Sequence, residues 1–184
     1  MCGSHEHGHD CAHEDQGACC GGACGGEHDR EAEAFTAQAM QLLEVADGFL
    51  HRDQTTDDAE PILAAAKVLL TRAGTLDSEA GVWLLSTTGI IANGKGQLHA
   101  AERAFRQAYD VSIKAHGENH PGTAIILGNL GNVLALIGKT DEAIETLQNT
   151  VGLLEAATPQ SGYTAETIES VREEKLAVLQ QLGA

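Results

Sequence analysis

Aromatic side chains are scarce in this sequence, which has three Phe, two Tyr and one Trp among 184 residues. Any hydrophobic core must therefore consist mainly of Leu, Ile, Val and Ala. Small and aliphatic side chains suit closely packed helices better than an aromatic-rich β-sandwich. The composition thus favours an all-α fold.

Basic residues are also few, because 11 Lys and Arg stand against 27 Asp and Glu and give a formal net charge of −16. A protein that binds nucleic acid needs Lys and Arg to neutralise phosphates, and an anionic membrane surface makes the same demand. We therefore expect no nucleic-acid partner and no membrane partner. A strongly negative field favours a cationic partner, or serves solubility alone.

Long hydrophobic runs are missing as well. No stretch approaches the roughly 20 consecutive apolar residues that a membrane-spanning helix needs. The first residues lack the basic and apolar regions of a secretory signal. We therefore expect a cytoplasmic protein, in which cysteines remain reduced.

Large hydrophobic side chains are absent from the first 28 residues, which contain no Leu, Ile, Val, Phe, Tyr or Trp. Such a segment cannot bury enough apolar surface to offset the entropy cost of ordering its chain. The sequence therefore predicts a disordered tail over residues 1–28. Helix-forming residues with apolar side chains at helical spacing follow, and they predict a helical domain over residues 29–184.

The tail is instead rich in side chains that bind metal ions. Ten such residues occur there: Cys2, His5, His7, His9, Cys11, His13, Cys19, Cys20, Cys24 and His28. Imidazole and thiolate ligands suit Zn, Ni and Cu, and the interspersed glycines allow the backbone to fold around an ion. The spacing lacks the paired Cys-x-x-Cys motifs of a structural zinc module. Three interpretations stay open: a physiological metal site, promiscuous coordination by an unfolded tail, and oxidation of the cysteines to disulfides.

The rest of the chain contains an internal repeat of 42 residues. Three sets of equivalent positions carry it: Ala59, Ala101 and Ala143; Leu63, Phe105 and Leu147; Gly89 and Gly131. Each unit predicts two antiparallel helices, which approach closely where Gly and Ala lie between them. In the third unit, Asn119 or His120 caps the first helix and Gly138 ends it. A last helix over about 164–182 is predicted as a solvated cap.

The third unit resembles a tetratricopeptide repeat in the stretch "LGNLGNVLALIG…EAIETLQNT", from Leu127 to Thr150. The 42-residue period and the link "HGENHP" resemble the repeats of the kinesin-light-chain class. The resemblance implies a right-handed superhelical solenoid of three helix pairs plus a C-terminal capping helix. It also implies a concave surface that binds a peptide or a partner protein, and it does not imply an enzyme.

The resemblance further implies four partner-binding positions on the first helices of the repeats. In the family, an Asn just before the Leu-Gly pair often hydrogen-bonds the backbone of a bound peptide, and Asn129 holds that place here. Asn132 follows on the same helical face, and Thr87 and Ile90 are the matching residues of the second unit. The alternative interpretation is that Asn129 and Asn132 are ordinary polar residues on a solvated face.

Two functional hypotheses follow. The first is a non-enzymatic interaction module that holds a protein or peptide, with the tail as a metal-responsive appendage. The second is a metal-handling protein, a chaperone or sequestering factor for Zn, Ni or Cu, whose repeats dock a client. No constellation of residues supports a hydrolase or a transferase. Formation of a homodimer through the open N-terminal face of the repeats is a further expectation.

Overall fold

The computed structural model describes residues 25–50 and 56–184. These ranges contain seven helices: α1 (Gly25–Gly48), α2 (Thr56–Ala73), α3 (Glu79–Gly94), α4 (Leu98–His116), α5 (Pro121–Ile137), α6 (Thr140–Ala156) and α7 (Ala165–Leu182). No β-strand forms within them, so the prediction of an all-α fold is confirmed. Three successive pairs, α1–α2, α3–α4 and α5–α6, form helical hairpins, and α7 packs against α5 and α6.

The helix boundaries confirm the 42-residue repeat. The second helices of the three hairpins begin at Thr56, Leu98 and Thr140, and the first helices of the last two begin at Glu79 and Pro121. Both series advance by 42 residues. The chain is therefore a solenoid of equivalent hairpins, in which residues one repeat apart occupy equivalent places.

Glycine allows the two helices of a hairpin to approach each other. A Cβ atom placed on Gly89 of α3 would lie 2.8 Å from the ring of Phe105 in α4. A Cβ atom on Gly131 of α5 would lie equally close to the side chain of Leu147 in α6. The predicted close approach of the paired helices at these glycines is confirmed.

The ends of the helices also follow the sequence. His120 caps α5, because its Nδ1 atom accepts a 3.1 Å hydrogen bond from the backbone N–H of Gly122. Gly138 ends the same helix in the left-handed conformation, with φ of 90°. Thr164 caps α7 by accepting a hydrogen bond from the N–H of Thr167.

Two features differ from the sequence-based expectations. First, α1 begins at Gly25, so residues 25–28 of the predicted tail are helical. Second, the capping helix is not solvated on every side, because Lys175 is only 1% exposed. Its aliphatic stem lies against the backbone at Gly128. The cause is that α7 takes the place of the next first helix and buries one side against α5 and α6.

Candidate partner-binding face

Among the first helices of the hairpins, α1 contacts α3, and α5 contacts the capping helix α7. We call the exposed surface of α1, α3 and α5 around residues 45, 90, 129, 132 and 136 the first-helix face. Val45 and Asn129 hold equivalent positions two repeats apart, and Ile90 and Asn132 hold equivalent positions one repeat apart. The repeat therefore presents matching positions of successive first helices in register.

Exposed apolar side chains mark this face. Ile90 of α3 is 48% exposed and Leu136 of α5 is 62% exposed, although both are large hydrophobic residues. Val45 of α1 is exposed to a similar extent. A single exposed apolar residue means little, but three at neighbouring register positions indicate a surface that a partner could cover.

Asn132 is tied to the capping helix. Its Nδ2 atom donates a 3.0 Å hydrogen bond to Glu174 Oε1, which also accepts a 2.7 Å hydrogen bond from Lys175 Nζ. Burial raises the pKa of the Glu174 carboxyl, but the hydrogen bonds from Lys175 and Asn132 outweigh it, so this pKa lies below its usual value. Glu174 is consequently an ionised acceptor at the edge of the face.

Three buried side-chain oxygens have no hydrogen-bond partner within the described ranges: Ser86 Oγ, Asn93 Oδ1 and Asn132 Oδ1. Ser86, Ile90 and Asn93 are four and then three residues apart, so they lie on one side of α3. Asn132 is the equivalent of Ile90 in α5. Buried polar atoms are normally paired, so these three oxygens are unused acceptors on the first helices among the described residues.

The four predicted partner-binding residues do not share one environment. Ile90 is exposed, and Asn129 and Asn132 are half-buried beside the open surface. Thr87 is only 2% exposed, because it is packed inside the helical layers, and this burial removes it from the accessible face. Thr87 and Asn129 hold equivalent positions one repeat apart. The packing around α3 nevertheless encloses the side chain of Thr87, which is shorter than that of Asn129.

The two cations nearest the face are already paired. Arg172 forms ion pairs with Glu155 and Glu169, at 3.1 and 2.5 Å respectively. Lys175 is buried beside Glu174. Neither is an open cation on the surface, and the carboxylate of Glu174 lies next to Asn132 at the edge of the face.

Sequence reasoning missed Ser86, Asn93 and Glu174. A usable signal existed for Glu174, because it follows Asn132 by 42 residues and the period places such residues on adjacent first helices. No comparable signal singles out Ser86 or Asn93, since Ser and Asn on a helix usually face solvent.

Nine of the ten predicted metal ligands lie outside the described residues; His28 lies in α1 and is exposed. Across the described ranges, no three His, Cys, Asp or Glu side chains lie close enough to hold a metal ion. The histidines of one inter-repeat loop do meet, since the rings of His116 and His120 stack with centroids 4.6 Å apart. His120 uses its Nδ1 atom to cap α5, so its Nε2 atom is the ring nitrogen that the cap does not occupy.

Comparison with protein families supports the repeat assignment. Residues 82–156 match the tetratricopeptide repeat family, a range that spans nearly all of α3 to α6. Comparison with curated proteins finds no match to the chain. The family match does not separate the kinesin-light-chain class from other tetratricopeptide repeats, so that narrower assignment stays a prediction. None of the helices in the described part is long and apolar enough to cross a membrane.

Proposed function

Because the chain carries tetratricopeptide repeats, we propose that it is a non-enzymatic module that holds a peptide segment of a partner protein on its first-helix face. The observation that carries the proposal is the coincidence on that face of exposed apolar residues and unpartnered acceptors. Ile90 is exposed on the same helix side as the Ser86 and Asn93 oxygens that lack hydrogen-bond donors.

The chemistry of the face favours an extended peptide with apolar side chains. Its apolar groups would cover Ile90 and Leu136, and its backbone N–H groups would donate to the side-chain oxygens once these rotate outward. Asn129, which is half-buried next to Leu130, would take part in the same way. Burial of an exposed apolar side chain and pairing of a buried acceptor both stabilise the complex.

Charge favours a partner segment with basic residues. Glu174 is ionised at the edge of the face, and Glu44 of α1 is exposed beside Val45. The chain as a whole carries a net charge of −16. Its field would accelerate the approach of a cationic segment, and high ionic strength would weaken that effect.

The polar pairs of the interior support a non-enzymatic role. The hydroxyls of Ser112 and Thr123 hydrogen-bond each other at 2.7 Å in a buried position, and Thr123 also donates to the carbonyl of Gly117. These contacts hold the loop between α4 and α5. The two hydroxyls and the Nδ1 atom of His120 therefore serve the fold.

Metal binding by the tail is the second function we propose. Its support is the density of ligands, ten His and Cys within the first 28 residues. In this proposal the tail binds Zn, Ni or Cu, and the repeat domain attaches the loaded tail to a client protein. In both proposals the repeats bind another protein. The ion belongs to a responsive appendage in the first proposal, and it is what the protein handles in the second.

A peptide-display selection on the immobilised full-length chain tests the first proposal. We expect a consensus peptide with apolar and basic residues, whose affinity falls about tenfold in Ile90→Glu and in Leu136→Glu. Val68→Glu is the matched control, because Val68 is 59% exposed on α2, away from the first-helix face. The proposal fails if Val68→Glu weakens the peptide as much as the other two, or if the selection yields no consensus.

A further inference from the structure

The first helix is longer than the repeat requires. The first helices of the second and third hairpins begin at Glu79 and Pro121, and position 37 lies one repeat of 42 residues before Glu79. Helix α1 begins at Gly25 instead, so it has 12 additional residues that the other first helices lack. They correspond to about 18 Å of helix. We call residues 25–36 the α1 extension.

The α1 extension contributes little to the core of the fold. The buried core residues of α1, which are Ala39, Leu43 and Ala46, all follow it. The side chains at positions 28 to 36 are exposed or half-buried. The extension also begins with two glycines, which are the poorest helix formers after proline. Because short helices are marginal in water without tertiary packing, we expect a further interaction to hold this end of α1.

One side of the α1 extension faces a small cavity. The cavity has a volume of about 200 Å³, and its lining consists of His28, Glu31, Ala32 and Phe35 of α1 together with Arg72 of α2. The guanidinium of Arg72 lies 4.5 Å from the centre of the Phe35 ring. Within the described ranges, the side chains of His28, Glu31 and Arg72 form no hydrogen bond and no ion pair. An imidazole, a carboxylate and a guanidinium thus meet at a place where the fold does not use them.

The sequence supplies thiol groups next to this cavity. Cys24 precedes His28 by four residues and Glu31 by seven, which is the spacing of one helical face. Cys20 precedes Cys24 by four residues again, and the two glycines between them allow the backbone to turn back toward the helix. Both cysteines lie outside the described residues. Their spacing directs thiolates to the side of α1 that carries His28.

We propose that a zinc ion binds at the start of the α1 extension, held by Cys19, Cys20, Cys24 and His28. The inference rests on the metal-binding role proposed above for the tail, and it assigns that role to one site. Three Cys and one His form a known tetrahedral ligand set for structural zinc. Each thiol releases its proton to the solvent as its sulfur coordinates the ion, and no group is oxidised or reduced.

The cavity provides the outer contacts of this site. A histidine that binds a metal through one ring nitrogen normally donates the N–H of the other nitrogen to a carboxylate, which fixes the ring. Glu31 follows His28 by three residues and lines the same cavity, so it is the carboxylate placed for that hydrogen bond. Three thiolates and one neutral imidazole around Zn²⁺ leave one net negative charge. The guanidinium of Arg72 would offset this charge and that of Glu31.

Zinc at this site would couple the tail to the helix. Cys24 and His28 would share one ion across the first turn of α1, and the two glycines lie between them. Binding would therefore stabilise the end of α1 that its own residues stabilise least. The tail would then join the repeat domain at a defined point, which is what a metal-responsive or metal-handling appendage requires.

Cobalt(II) titration of the full-length chain under a phosphine reductant tests the ligand set. A tetrahedral cobalt–thiolate complex has intense absorption bands, which zinc abolishes when it displaces cobalt. The double variant Cys24→Ser with His28→Gln should lose these bands and should weaken zinc binding at least about 100-fold in competition with a chelating dye. The matched control is His7→Gln with Cys11→Ser, which removes the same two side-chain types at the same spacing and should keep both the bands and the affinity.

Two further variants test the cavity. Glu31→Gln should weaken zinc binding about tenfold, because the imidazole loses the carboxylate that orients it. Arg72→Gln should weaken it about threefold in low salt. Arg103→Gln, which alters an exposed arginine of α4, is the control and should have no effect. Unchanged zinc affinity in Glu31→Gln would overturn the role of Glu31.

Hydrogen exchange gives a readout that does not depend on metal spectra. Zinc should slow amide exchange in the α1 extension of the unaltered chain and should not do so in Cys24→Ser with His28→Gln. Equal affinity losses in the double variant and its control would overturn the inference, and so would zinc binding that leaves this exchange unchanged. Native mass spectrometry separates this failure from that of the proposed function. Zinc still bound to the double variant would assign metal binding to other ligands of the tail, and no zinc on the unaltered chain would overturn both proposals.

Discussion

Lys139 donates a 2.6 Å hydrogen bond to Glu102, a carboxylate whose side chain is only 7% exposed. Glu102 lies in α4 and Lys139 immediately precedes α6, so this contact joins the second hairpin to the third. Arg106 and His99 also approach the same carboxylate. A solenoid is stable only if its hairpins hold each other, and Glu102 is the charged centre of one such junction.

Glu102→Gln should destabilise the chain by about 1–3 kcal/mol, because it weakens charge-assisted hydrogen bonds in a buried place. The hydrogen bond from Lys139 is the main reason that the pKa of Glu102 lies below its usual value. The stabilisation is therefore complete above the unfolded-state pKa and is lost as pH falls through the folded-state pKa. Urea unfolding at neutral and acid pH measures both effects. Glu145→Gln, on the exposed side of α6, should change neither.

His120 should make the stability of the chain depend on pH in a range above that of the Glu102 carboxyl. Burial, and then the charge of His116, lower the pKa of His120. The unfolded chain therefore binds a proton first as pH falls below about 6.5, and stability decreases from there down to the folded-state pKa. Protonation also removes the Nδ1 acceptor that caps α5.

His120→Asn separates this effect from acid unfolding in general, because Asn caps a helix without titrating. Thermal unfolding between pH 7 and pH 5 should show a smaller loss of stability in His120→Asn than in the unaltered chain. His28→Asn, at the exposed start of α1, is the control. An equal loss in all three proteins would contradict the role given to His120.

Two helical glycines should respond to alanine in opposite directions. Gly131→Ala would place a Cβ atom 2.8 Å from Leu147 and should cost about 1–3 kcal/mol by overpacking the hairpin. Gly152→Ala in α6 meets no atom within 4 Å and should stabilise the chain by about 0.5–1 kcal/mol. Urea midpoints give both values. Adding Leu147→Ala should recover part of the loss in Gly131→Ala. Destabilisation by Gly152→Ala would contradict an open, helical environment at that position of α6.

Lys175 offers a test with two readouts. It is buried, and its one hydrogen bond goes to Glu174, whose carboxylate also has Asn132 and solvent as partners. Replacing a buried ion pair with apolar side chains is often neutral or stabilising, and the carboxylate that Lys175→Met would leave, that of Glu174, is 56% exposed and keeps contact with solvent. Lys175→Met should therefore keep or raise the thermal stability, and Lys175→Ala should lower it by leaving a cavity beside Gly128. Peptide affinity that falls in Lys175→Met without a loss of stability would instead assign the ammonium group to the partner.

The sequence predicted the repeated part of the fold well because each helix boundary there has a local cause. For α5, His120 provides the cap, Pro121 has a fixed φ in the first turn, and Gly138 ends the helix in the left-handed conformation. The 42-residue period then predicts the corresponding boundaries in the other hairpins. Burial of single residues was harder to predict. Thr87 and Asn129 are equivalent in register, yet their exposure depends on neighbours in other hairpins that the period does not describe.

Differences between the repeats were harder to interpret from the sequence for a related reason. A repeat is recognised by what its units share, and positions at which the units differ carry no such signal. Ala64 and Ala100 look unremarkable alone, and only the structure shows that Arg106 and Glu142, at the equivalent positions one repeat later, form an ion pair. The same limit applies to Glu102, since a charged residue on a helix is normally expected in solvent.

Removal of residues 1–24 separates the two functional proposals, and this boundary respects the start of α1 at Gly25. We expect the full-length chain to bind Zn, Ni or Cu in native mass spectrometry, and the shortened chain to lose that binding. Binding should weaken as pH falls, because His and Cys must be deprotonated to coordinate a metal. Thermal stability and binding of the selected peptide should not change, since every residue assigned above to the first-helix face or to a hairpin core lies after residue 24. If instead the peptide binds the full-length chain only when metal is present and does not bind the shortened chain, the ion is part of recognition, and the metal-handling proposal replaces the interaction module as the primary function.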